Sequence, residues 1–158
     1  LNQTNCQIDQ KRTNLFEQYR KMAIGNIAPD IVLNPDNKDK SSLKELKNSY
    51  KLVVFGASWC SNCQANYPKL IEKYNNLKNK YNIEIVYISL DNDRDAFKSF
   101  YREAPFITFF DGQGWETKAA KEYYIFATPT YILLNKDLMI LAKIQSPEHL
   151  EAWLEAHN

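Results

Sequence analysis

The sequence is poor in cysteine and contains no long apolar run. Its 158 residues include three cysteines, too few for the disulfide scaffold of a small secreted domain. No stretch approaches the roughly 20 apolar residues that span a membrane, and no signal peptide is recognisable. Because the first residue is Leu1 rather than Met, we expect a mature form or an excised domain. Composition alone leaves the compartment open.

An excess of charge of one sign is also lacking. The 20 basic and 19 acidic residues are interspersed and give a formal net charge of +1. This balance provides no general attraction for nucleic acid or for an acidic surface, so we expect no nucleic-acid partner. An apolar share of 44% over this length is enough to form the core of one compact domain.

The stretch KLVVFGASWCSNCQANYP, residues 51–68, carries the most reactive residue types. An apolar strand leads through a turn of small residues to Trp59, and Cys60 and Cys63 follow. The pattern after them predicts a helix, on which thiols at positions i and i+3 share one face and can form a disulfide. Cys60 would lie at the helix N-terminus, where free N–H groups and the helix dipole favour the nucleophilic thiolate.

Two cysteines at this spacing also occur as half of a zinc site. Tetrahedral zinc needs two further ligands, and the remaining candidates, Cys6, His149 and His157, are scattered. A purely structural disulfide across so short a loop would remove little chain entropy. We therefore favour a redox-active pair and expect no metal and no cofactor. Cys6 is interpreted as a lone thiol near the terminus, with a third redox thiol as the alternative.

Periodicity in the first third of the chain predicts a helix followed by a hairpin. Apolar residues recur at helical spacing from about residue 9 to residue 24. A short strand at residues 31–33 and a turn at residues 34–37 fit a small β-hairpin. Ser41 or Ser42 is placed to begin a short helix.

The rest of the chain predicts strands alternating with helices. Residues 83–90 are apolar nearly throughout, as in a strand covered on both faces. Two strands joined by a helix imply a right-handed crossover and parallel pairing. The further predicted strands are residues 130–135 and 138–144, and the further predicted helices are residues 91–103, 116–123 and a last helix capped by Ser146 and Pro147.

Three features together resemble the thioredoxin superfamily. They are ASWCSNC after an apolar strand, Pro68 five residues beyond the second cysteine, and residues 127–130 (ATPT) before the strand YILL. Within the superfamily the chain is similar to the TlpA/ResA-type thiol–disulfide oxidoreductases, which share the APD motif of residues 28–30.

The resemblance implies an α/β, thioredoxin-like fold. Its features would be a central mixed β-sheet flanked by helices, with an N-terminal helix and a β-hairpin extension. We divide the chain into residues 1–24, an N-terminal helical extension, and residues 25–158, the thioredoxin-like domain.

The resemblance also implies roles for individual residues. Cys60 would be the attacking thiol and Cys63 the resolving thiol. Thr128 and Pro129 match the superfamily's cis-proline loop, whose backbone pairs with bound substrate like an added strand. Trp59 would form an apolar lip for substrate. Trp115 resembles the subfamily, and we expect it to pack in the core or at the surface.

The family further implies partners and a compartment. The expected partners are protein thiol or disulfide substrates and a membrane-embedded thiol-reductant donor. The expected location is periplasmic or otherwise extracytoplasmic, with membrane anchoring through an upstream segment. The residues between the thiols do not fix the direction of electron flow, because related pairs span about 150 mV. The resemblance favours a reductant.

Two positions depart from the family pattern. Val54 occupies the position, six residues before the first cysteine, where many thioredoxins bury an acid. Asn66 occupies the position, three residues after the second cysteine, where the subfamily often has glutamate. Without these proton acceptors a buried Cys63 is expected to favour the thiol form. We therefore expect slow resolution of mixed disulfides.

Two other functions are weighed against this one. A peroxiredoxin requires threonine and proline three and seven residues before its reactive cysteine, and Ala57 and Val53 occupy those positions. A non-enzymatic thioredoxin-like module would bind partners through Trp59 and Pro129 and keep a structural disulfide. Alkylation at mildly acidic pH would distinguish the two functions, because a redox-active Cys60 reacts fast whereas a structural pair does not.

Overall fold

A computed structural model describes residues 2–33 and 41–158, and its described residues form one mixed five-stranded sheet with helices on both faces. Strands β1, β2 and β3 run parallel, whereas β4 is antiparallel to β1, and β5 to β4, in the order β3-β2-β1-β4-β5. The strands are β1 (Tyr50–Gly56), β2 (Ile83–Ser89), β3 (Ile107–Phe109), β4 (Thr130–Asn135) and β5 (Ile140–Ile144). The helices are α1 (Asn2–Lys21), α2 (Ser61–Tyr81), α3 (Arg94–Phe100), α4 (Lys118–Glu122) and α5 (Pro147–His157), with 3-10 turns at Leu43–Glu45 and Gly114–Glu116.

Strand β1 lies at the centre of the sheet, and its side chains alternate between two cores. Leu52 and Val54 are fully buried in the core shared with α2 and α5. Val53 and Phe55 are fully buried on the other face, against α4 and the segment that follows α1. Both faces of the sheet are therefore covered, as predicted from its apolar strands.

Helices α2 and α5 pack side by side on one face. Leu70 and Leu77 of α2 and Leu150 and Leu154 of α5 are almost fully buried. The predicted start of α5 is confirmed, because the Ser146 side chain accepts a hydrogen bond from a backbone N–H in the first turn and proline follows it.

The parallel crossover predicted from the sequence is confirmed. β1 pairs with β2 in a register that brings Gly56 opposite Ser89, so the residues that follow the two strands meet at one edge of the sheet. The helix after β2 is shorter than predicted and covers Arg94–Phe100, because Asp93 caps it through the Ala96 N–H at 2.7 Å. The three-residue edge strand β3 was missing from the predicted order.

The N-terminal helix is longer than predicted. Helix α1 begins at Asn2, seven residues before the predicted start, and ends at Lys21. Among the described residues, the predicted hairpin is represented by a bridge between Val32 and Ser42, with flanking backbone hydrogen bonds of 2.8 and 3.0 Å. The predicted turn, residues 34–37, and the Cys6 side chain lie outside the described residues.

The segment after α1 runs along the outer edge of β5. Gly25 N–H donates to the Ile140 carbonyl at 2.8 Å, Ile140 N–H donates to the Asn26 carbonyl at 2.9 Å, and Ala28 N–H donates to the Leu138 carbonyl at 2.8 Å. Within the described residues, no helix combines the length and the apolar character needed to cross a membrane.

Candidate active site

Cys60 and Cys63 form a disulfide at the start of α2, with their Cα atoms 5.1 Å apart. Cys60 is the N-cap residue, and its Sγ accepts a hydrogen bond from the Cys63 N–H at 3.2 Å. The exposed fraction is 7% for Cys60 and 1% for Cys63. The more accessible cysteine is therefore the one at the helix N-terminus, where an anion is stabilised.

A buried carboxylate holds the turn that leads to the disulfide. Asp91 accepts hydrogen bonds from the Ser58 N–H at 3.1 Å, from the Ser58 hydroxyl, and from the Ser89 hydroxyl at 2.7 Å. Asp91 is 1% exposed. On the other side, the Gln64 amide donates to the Ser58 carbonyl at 2.6 Å. The turn is thus fixed from both sides, two residues before Cys60.

Sequence reasoning missed Asp91, although a signal was present. The residue comes directly after a predicted parallel strand neighbouring the strand that leads to the cysteines. Side chains that follow the carboxyl ends of adjacent parallel strands meet at one edge of the sheet, which is where ligands and reactive groups collect in such folds.

Gly56, just before the same turn, lets the Tyr87 side chain pack directly against the backbone. A Cβ atom at this position would lie 2.3 Å from the Tyr87 hydroxyl oxygen, which leaves no room for a side chain. Burial raises the pKa of Tyr87 far above its ordinary value, so the phenol stays neutral. The small residue before the disulfide therefore reflects packing against Tyr87.

Trp59 and Trp115 form an exposed pair beside the disulfide. Their ring centroids are 6.0 Å apart, and the exposed fractions are 53% and 43%. Trp115 packs at the surface, one of the two environments expected for it. An apolar patch of this kind next to a reactive sulfur is suited to contact with another polypeptide.

The Thr128–Pro129 peptide bond is cis, as the resemblance to the thioredoxin superfamily implied. Thr130 pairs with Phe55, so Pro129 lies level with Gly56 at the end of β1. The loop is closed by a hydrogen bond from the Thr130 hydroxyl to the Ala127 carbonyl at 2.7 Å. The proline loop and the cysteines therefore occupy the same edge of the sheet.

The two residues that depart from the family pattern make local contacts of their own. Val54 is fully buried in the apolar core under α2. The Asn66 amide donates back to the Asn62 carbonyl at 3.0 Å, one turn earlier in the helix. Within residues 7–33 and 41–158, no three His, Cys, Asp or Glu side chains converge in a way that could hold a metal ion.

Comparison with known proteins identifies the relatives of this chain. The family model described as thioredoxin-like matches residues 48–140. The thiol–disulfide oxidoreductase ResA of Bacillus cereus is 31% identical over 143 residues, which cover 89% of this chain and 82% of that protein.

Solved structures give the same result. A thiol–disulfide oxidoreductase from Bacteroides fragilis superposes with a TM-score of 0.70 and 32% identity, over 83% of this chain and 98% of that one. The thioredoxin domain of a thiol–disulfide oxidoreductase from Bacteroides vulgatus superposes with a TM-score of 0.72 and 26% identity, over 85% of this chain and 96% of that one. With its two cysteines joined at the head of α2, the chain belongs to the thioredoxin-like family and is a thiol–disulfide oxidoreductase related to ResA.

Proposed function

We propose that this oxidoreductase uses the Cys60–Cys63 dithiol to reduce disulfides in protein substrates outside the cytoplasm. The observation that carries the proposal is the arrangement of the two sulfurs. Cys60 is the more exposed of the two residues and occupies the N-cap of α2, while Cys63, in the first turn of the helix, is almost fully buried. This difference supports an attacking role for Cys60 and a resolving role for Cys63.

The exchange proceeds in two steps. In the reduced protein the Cys60 thiolate attacks one sulfur of the substrate disulfide, forming a mixed disulfide and releasing the other substrate sulfur as a thiolate. Cys63 then loses its proton and attacks Cys60 Sγ, which releases the second substrate sulfur and leaves the Cys60–Cys63 disulfide. Two electrons pass to the substrate, and an external thiol donor must restore the dithiol.

Substrate would lie across the surface between the tryptophan pair and the proline loop. Trp59 offers an exposed apolar ring, and Thr128 and Pro129 lie at the same edge of the sheet. A substrate segment that pairs with the Thr128 backbone in an extended conformation would bring its own sulfur to Cys60. We assign Trp59, Thr128 and Pro129 to substrate binding on this basis.

The relatives also support a compartment and a class of electron donor. The resemblance to ResA-type proteins favours a periplasmic or other extracytoplasmic location, reached through a leader or an anchor upstream. A membrane-embedded thiol reductant is the donor class that fits this location. Both assignments are tested by identifying the proteins that form mixed disulfides with the chain in its native cell.

The reduction potential of the pair is the first measurement. Equilibration with dithiothreitol or glutathione buffers is expected to give a value near that of thioredoxin, about −270 mV. A value near about −120 mV would indicate an oxidant instead. A pair that neither buffer reduces would be a structural disulfide, which would contradict the proposal.

Trapping variants test the separate roles of the cysteines. Cys63→Ser is expected to accumulate mixed disulfides with substrate proteins, because the resolving thiol is missing. Cys60→Ser is the matched control and should accumulate far fewer, since the remaining thiol is buried. Equal trapping by both variants would overturn the assignment of Cys60 as the attacking thiol.

A further inference from the structure

A cavity of about 580 Å³ lies between α1 and the proline loop. Leu15, Tyr19 and Met22 of α1 and its following segment form one wall, and Pro129 and Thr130 belong to the other. Because Thr130 pairs with Phe55 near the end of β1, the proline-loop wall of the cavity lies at the same edge of the sheet as the disulfide. It is therefore within reach of a polypeptide that reacts with Cys60.

The Lys143 side chain borders this cavity, and its ammonium has no hydrogen-bond partner among the described residues. Lys143 belongs to β5, and its Nζ is buried. Buried polar groups nearly always have a partner, because leaving a charge unpaired away from water is costly. Burial lowers the pKa of Lys143 to about 8, so the amine is still mostly protonated at neutral pH.

The rest of the cavity does not neutralise this charge. None of its described lining residues is acidic, and the polar ones are glutamines, a threonine and tyrosines. Burial raises the pKa of Tyr131 to about 12, so this phenol carries no charge at neutral pH. The cavity therefore combines apolar walls with one uncompensated positive charge.

We propose that this cavity is a specificity subsite that accepts a glutamate or aspartate side chain of the substrate protein, close in sequence to the reactive cysteine. Lys143 Nζ, which is buried beside the cavity, would turn toward the carboxylate and donate a hydrogen bond to it, and the methylene groups of the acidic side chain would contact the apolar walls. The inference rests on the proposed function, because the acidic residue enters with the segment that carries the substrate sulfur.

The position of the subsite limits where the acidic residue can be. A segment extended along the proline loop advances roughly 3.3 Å per residue and presents alternate side chains to the same side. The cavity begins at Pro129 itself. An acidic residue within roughly three positions of the cysteine is therefore the one that reaches Lys143.

Single-cysteine peptides, prepared as mixed disulfides with a coloured aromatic thiol, test the proposal. Each peptide carries Glu, Gln or Lys at one position near the cysteine. The reduced protein attacks the peptide sulfur and releases the coloured thiolate, and its Cys63 then frees the peptide thiol. At the preferred position the second-order rate constant should be about tenfold higher for Glu than for Gln, and lowest for Lys.

Variants assign the preference to the lysine. Lys143→Met should remove the difference between the Glu and Gln peptides while still reacting with both. Lys80→Met is the matched control, because it makes the same change of charge near the far end of α2, roughly 30 Å along the helix from Cys60. It should keep the wild-type preference.

The outcomes separate the subsite from the chemistry. Equal rates for the Glu and Gln peptides at every position with the wild-type protein would overturn the subsite but leave the oxidoreductase intact. A preference that persists in Lys143→Met would also overturn it. Failure of the wild-type protein to react with any peptide would instead contradict the proposed function.

Discussion

The two ends of β2 each carry a buried carboxylate, and the two carboxylates are partnered differently. At the amino end Glu84 accepts hydrogen bonds from the Tyr74 hydroxyl at 2.6 Å and from the Lys78 ammonium at 3.0 Å. Just past the carboxyl end Asp91 accepts only from Ser58 and Ser89 among the described residues. One acid is paired with a cation, and the other is bound by neutral donors on the turn that leads to the disulfide.

The difference separates stability from function. The hydrogen bonds of Glu84 join β2 to α2. Burial, together with the hydrogen bond to Glu84, raises the pKa of Tyr74. Asp91 instead is bound by neutral donors and organises the turn before Cys60. Lys143, whose Nζ is buried without a hydrogen-bond partner among the described residues, lies toward the same edge of the sheet.

The largest expected effect comes from removing each acid. Asp91→Ala and Glu84→Ala should each lower the free energy of unfolding by about 3 kcal/mol, since both leave buried donors without an acceptor. Urea denaturation measures this loss. Only Asp91→Ala should also change the rate at which reduced Cys60 is alkylated.

The milder Asp91→Asn sharpens that comparison, because it keeps the shape of the side chain and removes the charge. A like charge nearby disfavours a thiolate, so alkylation of Cys60 should extend to lower pH in this variant than in the wild type. Glu84→Gln is the control and should leave the pH profile unchanged. The same profile for all three proteins would show that the two acids do not differ in function.

Two lysines with buried side-chain nitrogens also differ in their partners. Lys51, fully buried, donates to the Lys136 carbonyl at 2.8 Å, whereas Lys143 Nζ has no partner among the described residues. Lys143→Met should therefore raise the free energy of unfolding by about 2 kcal/mol at neutral pH. Loss of stability in this variant would mean that the Lys143 ammonium is compensated after all.

The pH dependence of that gain follows from the lowered pKa of Lys143, about 8, against about 10.4 in the unfolded chain. Between these values the unfolded state binds more protons than the folded state, so the wild type gains stability as pH rises. The advantage of Lys143→Met should be complete below about pH 8 and shrink towards about pH 10.4. Paired urea titrations across this range measure it.

The smallest effect on stability is expected from a change at Asn66, the position where the subfamily often has a glutamate. Asn66→Glu should change the free energy of unfolding by less than about 0.5 kcal/mol, yet accelerate release of peptide from a preformed mixed disulfide by about tenfold through general-base assistance. Asn75→Glu adds the same charge further along α2 and should leave the rate unchanged. An unaltered rate in Asn66→Glu would mean that resolution does not depend on a carboxylate there.

Local signals in the sequence were sufficient for much of the fold. The strand at Thr130–Asn135 and the capped start of α5 agree with their predictions, because strand patterns and helix caps depend on residues that are close together in the sequence. The edge strand β3 was missed since its three residues are only half-buried.

The candidate site was predicted in part for the same reason. The cysteines and the cis-proline loop form contiguous motifs, whereas Asp91 and Ser58 are 33 residues apart and meet only because β1 and β2 are neighbours. Lys143 reads as an ordinary polar position on an edge strand. Its burial involves α1, which is distant in sequence and lines the same cavity.

The segment along the outer edge of β5 also bears on solubility. Open strand edges offer unpaired N–H and carbonyl groups to other chains and so promote association into extended sheets. Residues 25–28 occupy these groups at Leu138 and Ile140, and the opposite edge, β3, is only three residues long. The chain just before the thioredoxin-like sheet thus shields it against edge-to-edge aggregation, and a version cut back beyond residue 28 would lose that shield.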